Sequence, residues 1–202
     1  MQPTLNKLRM GISAGACILL ALMLLVLPLQ WIAAIMVAGL FHELCHLLAV
    51  YLCRGKIRRC YVCGRGAVME AEPMTPAREL ICVLGGPIGG LLLLSVISWF
   101  PRLALCGVFH SLYNLLPLNG LDGGAALLRI AWILFPGREG TICLWVQRGC
   151  MAILWGLAIY ASFVLRIGFL PLAAVLLLHM KTKWKNPLQT LREEGTIIHS
   201  FQ

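Results

Sequence analysis

The sequence predicts an all-α polytopic membrane protein with about six transmembrane helices and one small β-hairpin. Three observations predict it. Hydrophobic residues make up 60% of the 202-residue chain and charged residues 12%, against roughly 45–50% and 25% in soluble domains. Several apolar runs approach the ~20 residues that cross about 30 Å of hydrocarbon at 1.5 Å per residue. The basic residues collect in alternate loops between those runs. Residues 1–182 read as one compact membrane domain and 183–202 as a short cytoplasmic tail, with no sizeable soluble domain.

The first apolar run, 11–28, follows Lys7 and Arg9. It is long for a signal-peptide core and no small-residue cleavage site follows it, so it reads as a retained span. Further spans are predicted over 32–53, 79–99, 102–119, 142–164 and 167–181. Pro28 and Gln30, the loop from Arg54, Pro101-Arg102, Asn119-Gly120 and Arg166-Ile167-Gly168 separate them. The apolar piece 124–135 carries Arg129 and is too short to cross, so it reads as an interfacial helix. Residues 57–72 read as two short strands around Gly64-Arg65-Gly66.

A net charge of +9 raises the question of nucleic acid. Its distribution argues against it. With the N-terminus inside, 15 of the 17 basic residues fall in cytoplasmic segments and only Arg102 and Arg166 outside. That is the positive-inside pattern. It predicts a multi-pass cell-membrane protein with both termini cytoplasmic, a lipid bilayer as its partner and no nucleic acid. Of the 9 cysteines, Cys17, Cys82, Cys106, Cys143 and Cys150 read as small buried hydrophobes. Cys60 and Cys63 form one C-x-x-C with no second pair, a weak metal signal.

Within the second span stands His42-Glu43-Leu44-Cys45-His46. An ionisable side chain at the bilayer centre costs roughly 2.5–3.5 kcal/mol on insertion scales, so such residues are paired or ligate something. Histidines at i and i+4 share a helix face one turn apart, and both imidazoles can bind one Zn2+ ion. Glu43 is then placed to act on a reacting water rather than on the metal. This is the metalloprotease spacing. Cys45 is expected to point away from the histidine face and to serve packing.

A catalytic zinc usually has three protein ligands and an open position. The chain's single aspartate, Asp122, lies in Asn119-Gly120-Leu121-Asp122-Gly123-Gly124. The fourth span, like the second, runs from outside to inside, so Asp122 and the histidines end at similar depth. Two readings stand: Asp122 as third ligand, or as a cap on the interfacial helix that begins there.

H-E-x-x-H followed by N-x-x-P-x-x-x-L-D-G, here Asn114, Pro117, Leu121, Asp122 and Gly123, resembles the site-2 proteases, the membrane-embedded zinc metalloproteases. The family core would cover about residues 11–165. The resemblance implies metal ligands His42, His46 and Asp122, Glu43 as catalytic acid and base, and Asn114 and Pro117 as substrate-binding residues. It makes 1–182 an intramembrane metalloprotease domain and the 57–72 strands a membrane-associated hairpin that pairs with extended substrate. The small size and lack of an inserted PDZ-like domain resemble the sporulation-type bacterial branch, without the CBS domain that often follows. Gly90 stands where the family often has Asn in G-P-x-x-N. Gly85-Gly86-Pro87-Ile88-Gly89-Gly90 reads as a close helix-packing face.

The implied activity is cleavage of a membrane-anchored protein substrate near the cytoplasmic face, in regulated intramembrane proteolysis of a membrane-tethered transcription or sigma factor. The alternative is a catalytically silent client-binding or regulatory membrane protein with a structural zinc. Intact Glu43 and Asp122 argue against it. A metal transporter is a poorer fit, because its ligands would line a path across the bilayer. The residues leave both a homo-oligomer and an inhibitory membrane partner open.

Overall fold

The computed structural model describes residues 24–63, 66–72 and 74–182, with backbone alone for 58–63, 66–71 and 181. Most of the predicted first span, the tail 183–202 and the side chains of Cys60 and Cys63 lie outside the described residues. Among the described residues, a helical stretch at 24–26 is followed by six helices and one strand pair. Helix α1 is Leu29–Leu52. Strands β1 (Ile57–Cys63) and β2 (Gly66–Ala71) pair antiparallel, Ile57 against Ala71 and Cys63 against Gly66. Helix α2 is Pro76–Leu92, prolonged by a 3-10 turn over Leu93–Val96. Then come α3 (Pro101–Asn114), α4 (Asp122–Leu134), α5 (Glu139–Phe163) and α6 (Leu170–Lys181).

Proline sets several starts. Pro28 precedes α1, and α2, α3 and α6 each carry proline in the first turn, where its missing N–H would be unpaired anyway. Among the described residues, three helices are long and apolar enough to cross a membrane: Leu29–Leu52, Pro76–Val96 and Glu139–Phe163. The sequence predicted more spans than this. The predicted span 102–119 is a helix of 14 residues that ends at Asn114, about 21 Å at 1.5 Å per residue. Hydropathy runs on through Leu115, Leu116 and Leu118, but Pro117 disfavours helix in the residue before it. The predicted span 167–181 is a helix of 12 residues. The piece read as interfacial is helical, as α4.

Helix α2 is central and packs against α1, α3 and α4. Its small residues permit this. A side chain at Gly90 would strike the Ser111 hydroxyl and come 3.0 Å from the Gly107 carbonyl of α3. The inner stripe of α1 is likewise small or functional: Ala34, Ala38, His42, His46 and Ala49 are buried. Its opposite stripe, Val37, Leu40, Leu44 and Leu48, is exposed. A continuous apolar face of this kind suits hydrocarbon and not water. Helices α5 and α6 pack on each other and α5 packs on α4, and Met151 joins Leu118 and Leu121 of the loop before α4 in one buried cluster.

Candidate metal centre

His42 and His46 lie one turn apart on the inner face of α1, both buried. Asp122 opens α4. The chain reaches it by folding back after α3: Gly120 takes a left-handed φ of 84° and Leu121 is extended. The first turn of α4 then rests on the carbonyls of the loop behind it. A Cβ on Gly123 would strike the Leu115 carbonyl oxygen, and one on Gly124 that of Leu118. These glycines let α4 sit directly on the chain's own return loop.

The fold-back bears on the capping reading of Asp122: Leu121 is the N-cap of α4 and no side-chain cap bond forms there. The carboxylate turns to the histidines. Asp122 Oδ2 lies 3.0 Å from His42 Nε2 and 3.3 Å from His46 Nε2, and the two nitrogens are 3.2 Å apart. A tetrahedral ion with bonds near 2.0–2.1 Å has donor-to-donor edges of about 3.3 Å. Three donors at these spacings, contributed by helices some 80 residues apart in sequence, fit a metal. They are the set that could hold one among the described residues, and two imidazoles with one carboxylate suit zinc.

Neighbouring groups orient the imidazoles. His46 Nδ1 lies 2.8 Å from the Cys82 carbonyl of α2 and donates to it. The Gly86 N–H is 3.3 Å from the same nitrogen, but one Nδ1 cannot both donate and accept, and the shorter contact sets the tautomer. The proton on Nδ1 leaves the Nε2 lone pair for a metal. Gly86 supplies the space: its Cβ would strike His46 Nε2 and come 2.7 Å from His42 Nε2. Pro87 follows and has no N–H for the Val83 carbonyl, so the ladder is interrupted beside the site. The glycine-rich segment therefore both packs helices and seats the imidazoles. Cys45 does not point away from this contact. Its sulfur faces Gly89 of α2, which keeps the packing role and corrects the direction.

Glu43 is half-buried beside the pair. Asn114 ends α3 and Pro117 sits in the return loop, both half-buried. His110, one turn before Asn114, stands edge-on to His42 with ring centroids 4.6 Å apart. His42 Nδ1 is buried without a hydrogen-bond partner. Sequence reasoning missed the Cys82 carbonyl and the contact made by Gly86. It also missed the ion pair of Glu79 and Arg129, although two charges within apolar segments were a visible signal.

No protein-family model matches the chain, and no curated protein matches it. Among solved structures it is similar to the site-2 protease from Methanocaldococcus jannaschii, with a TM-score of 0.54 and 17% identity over 93% of this chain and 89% of that one. The likeness runs through nearly the whole of both chains, and what it establishes is a shared fold: this chain is folded as that site-2 protease is.

Proposed function

We propose that the protein is an intramembrane zinc endopeptidase of site-2 protease type. The observation that carries this reading is the convergence of His42, His46 and Asp122 at the spacing of a tetrahedral metal, next to Glu43, in apolar helices. Zinc held by these three residues would polarise a scissile carbonyl and lower the pKa of a water toward about 7.

The chain's own groups do the rest. A Glu43 carboxylate oxygen takes the proton of the attacking water and returns it to the leaving amine. The Cys82 carbonyl holds His46 in its ligand tautomer. Asn114, at the end of α3, offers an amide N–H to the substrate backbone or the developing oxyanion, and Pro117 shapes the loop beside it. A transmembrane substrate must unwind to expose a peptide bond, and the β1–β2 hairpin, lying at the membrane, offers a strand edge to the extended segment.

The substrate class is a membrane-anchored protein cut near the cytoplasmic face of the cell membrane, with both termini of the protease cytoplasmic. Regulated release of a membrane-tethered transcription or sigma factor, sporulation included, fits a small protease of this kind. The test compares membrane proteomes of cells carrying wild type and Glu43→Gln. The reading expects one membrane protein to accumulate uncut in the variant. An unchanged proteome and wild-type phenotype in every growth state would favour a client-binding protein instead.

A further inference from the structure

Two charges outside the metal centre are buried together. Glu79, in the first turn of α2, and Arg129, in α4, have side chains only 9% and 13% exposed. Arg129 Nε donates to Glu79 Oε2 at 3.3 Å, and Arg129 Nη1 donates to the Ala125 carbonyl of its own helix at 3.2 Å. The guanidinium is thus laid back along α4 and aimed at α2.

We infer that Glu79 and Arg129 are positioning residues: their ion pair fixes the axial register of α4 on α2 and so holds Asp122 against His42 and His46. The inference rests on the metal-site reading above. The two helices are matched at two levels. At one they meet through α1: Gly86 of α2 lies against the His42 and His46 imidazoles, and Asp122 of α4 bonds to the same two side chains. At the other, Glu79 meets Arg129. Gly86 follows Glu79 by seven residues, and Arg129 follows Asp122 by seven. Helices α2 and α4 therefore run in opposite directions, and each separation is about 10.5 Å at 1.5 Å per residue. The two levels match.

Helix α4 packs along α2, while its buried Leu128 and Ala131 cluster with Cys143 of α5; the ion pair adds a directional contact to that apolar packing. A slip of one turn moves α4 by about 5.4 Å, which would take Asp122 out of reach of the histidine nitrogens. Fixing register is the best-attested use of a buried polar group. Here the pair sits two turns from the ligand it serves.

The test is zinc affinity of the purified full chain, measured by competition with a chelator, with helicity and thermal midpoint followed alongside. Replacing both charges with apolar side chains, Glu79→Leu with Arg129→Met, should leave the protein folded and weaken zinc binding about 10–100-fold, the effect usual for groups that orient ligands. The exchange Glu79→Arg with Arg129→Glu should recover most of that loss. A folded apolar double variant with wild-type zinc affinity overturns the inference. If the apolar variant does not fold, the exchanged pair decides: folded and tight supports the inference, folded and weak overturns it. Wild type and Asp122→Asn serve as references. If wild type takes up no zinc, the metal site itself fails, an outcome distinct from failure of the positioning role alone.

Discussion

Helices α2 and α5 are both long and apolar enough to cross a membrane, and both carry glycines. They use them differently. In the most apolar window of α2, 39% of residues are buried within the protein, against 22% in α5. A Cβ on Gly86 of α2 would strike the imidazoles of His42 and His46, while one on Gly149 or Gly156 of α5 would meet nothing within 4 Å. Hydropathy measures how well a helix suits lipid. It does not say whether the helix is wrapped by protein. Where a glycine is crowded by neighbours, its missing side chain is part of the site; where it is open, it is incidental.

The contrast predicts a graded mutation series. Gly86→Ala has the largest effect. Its methyl group competes with the ligand nitrogens, so zinc binding should fall more than 10–100-fold and cleavage become undetectable, as metal analysis and a substrate assay would show. Glu43→Gln touches the chemistry without the packing. It should lower cleavage by about 10²–10⁴ and keep zinc, which separates it from Gly86→Ala in the same two assays. Gly90→Ala comes third. The Ser111 hydroxyl can turn aside, but the Gly107 carbonyl is backbone, so overpacking of about 1–3 kcal/mol should lower the thermal midpoint. Gly149→Ala should be neutral or stabilising by up to about 1 kcal/mol. A series in which Gly149→Ala harms the protein as much as Gly86→Ala would erase the comparison between the two helices.

Much of the site was legible in the sequence because its chemistry is carried by scarce residues. Two histidines at helical spacing inside an apolar run, and a single aspartate beside glycines, have few other uses. The ambiguity over Asp122 as cap or ligand was real, since a carboxylate at a helix start serves either way. The fold-back of 115–121 turns the carboxylate to the two imidazoles, which no spacing in the sequence could show. The Cys82 carbonyl that sets the His46 tautomer had no signature, because every residue has a carbonyl. Span lengths were misread where leucines continue past a helix end, as after Asn114, where Pro117 and Gly120 outweigh hydropathy. The direction of Cys45 was misjudged because α1 was treated as having one functional face, whereas α2 lies close enough to meet both His46 and its neighbour. The register of α4 on α2 was beyond reach, since it depends on which of the apolar segments are adjacent.

X-ray absorption at the zinc edge, on purified wild-type protein, reads directly which atoms hold the metal. The chain carries 9 cysteines, so thiolate ligation is the chemical competitor, and Zn–S distances near 2.3 Å are resolved from Zn–N and Zn–O distances near 2.0–2.2 Å. The expected result is one zinc per chain bound by two imidazoles and oxygen with no sulfur, lost in Asp122→Asn and retained in Glu43→Gln. A sulfur shell, or a zinc signal untouched by changes at His42, His46 and Asp122, would contradict it.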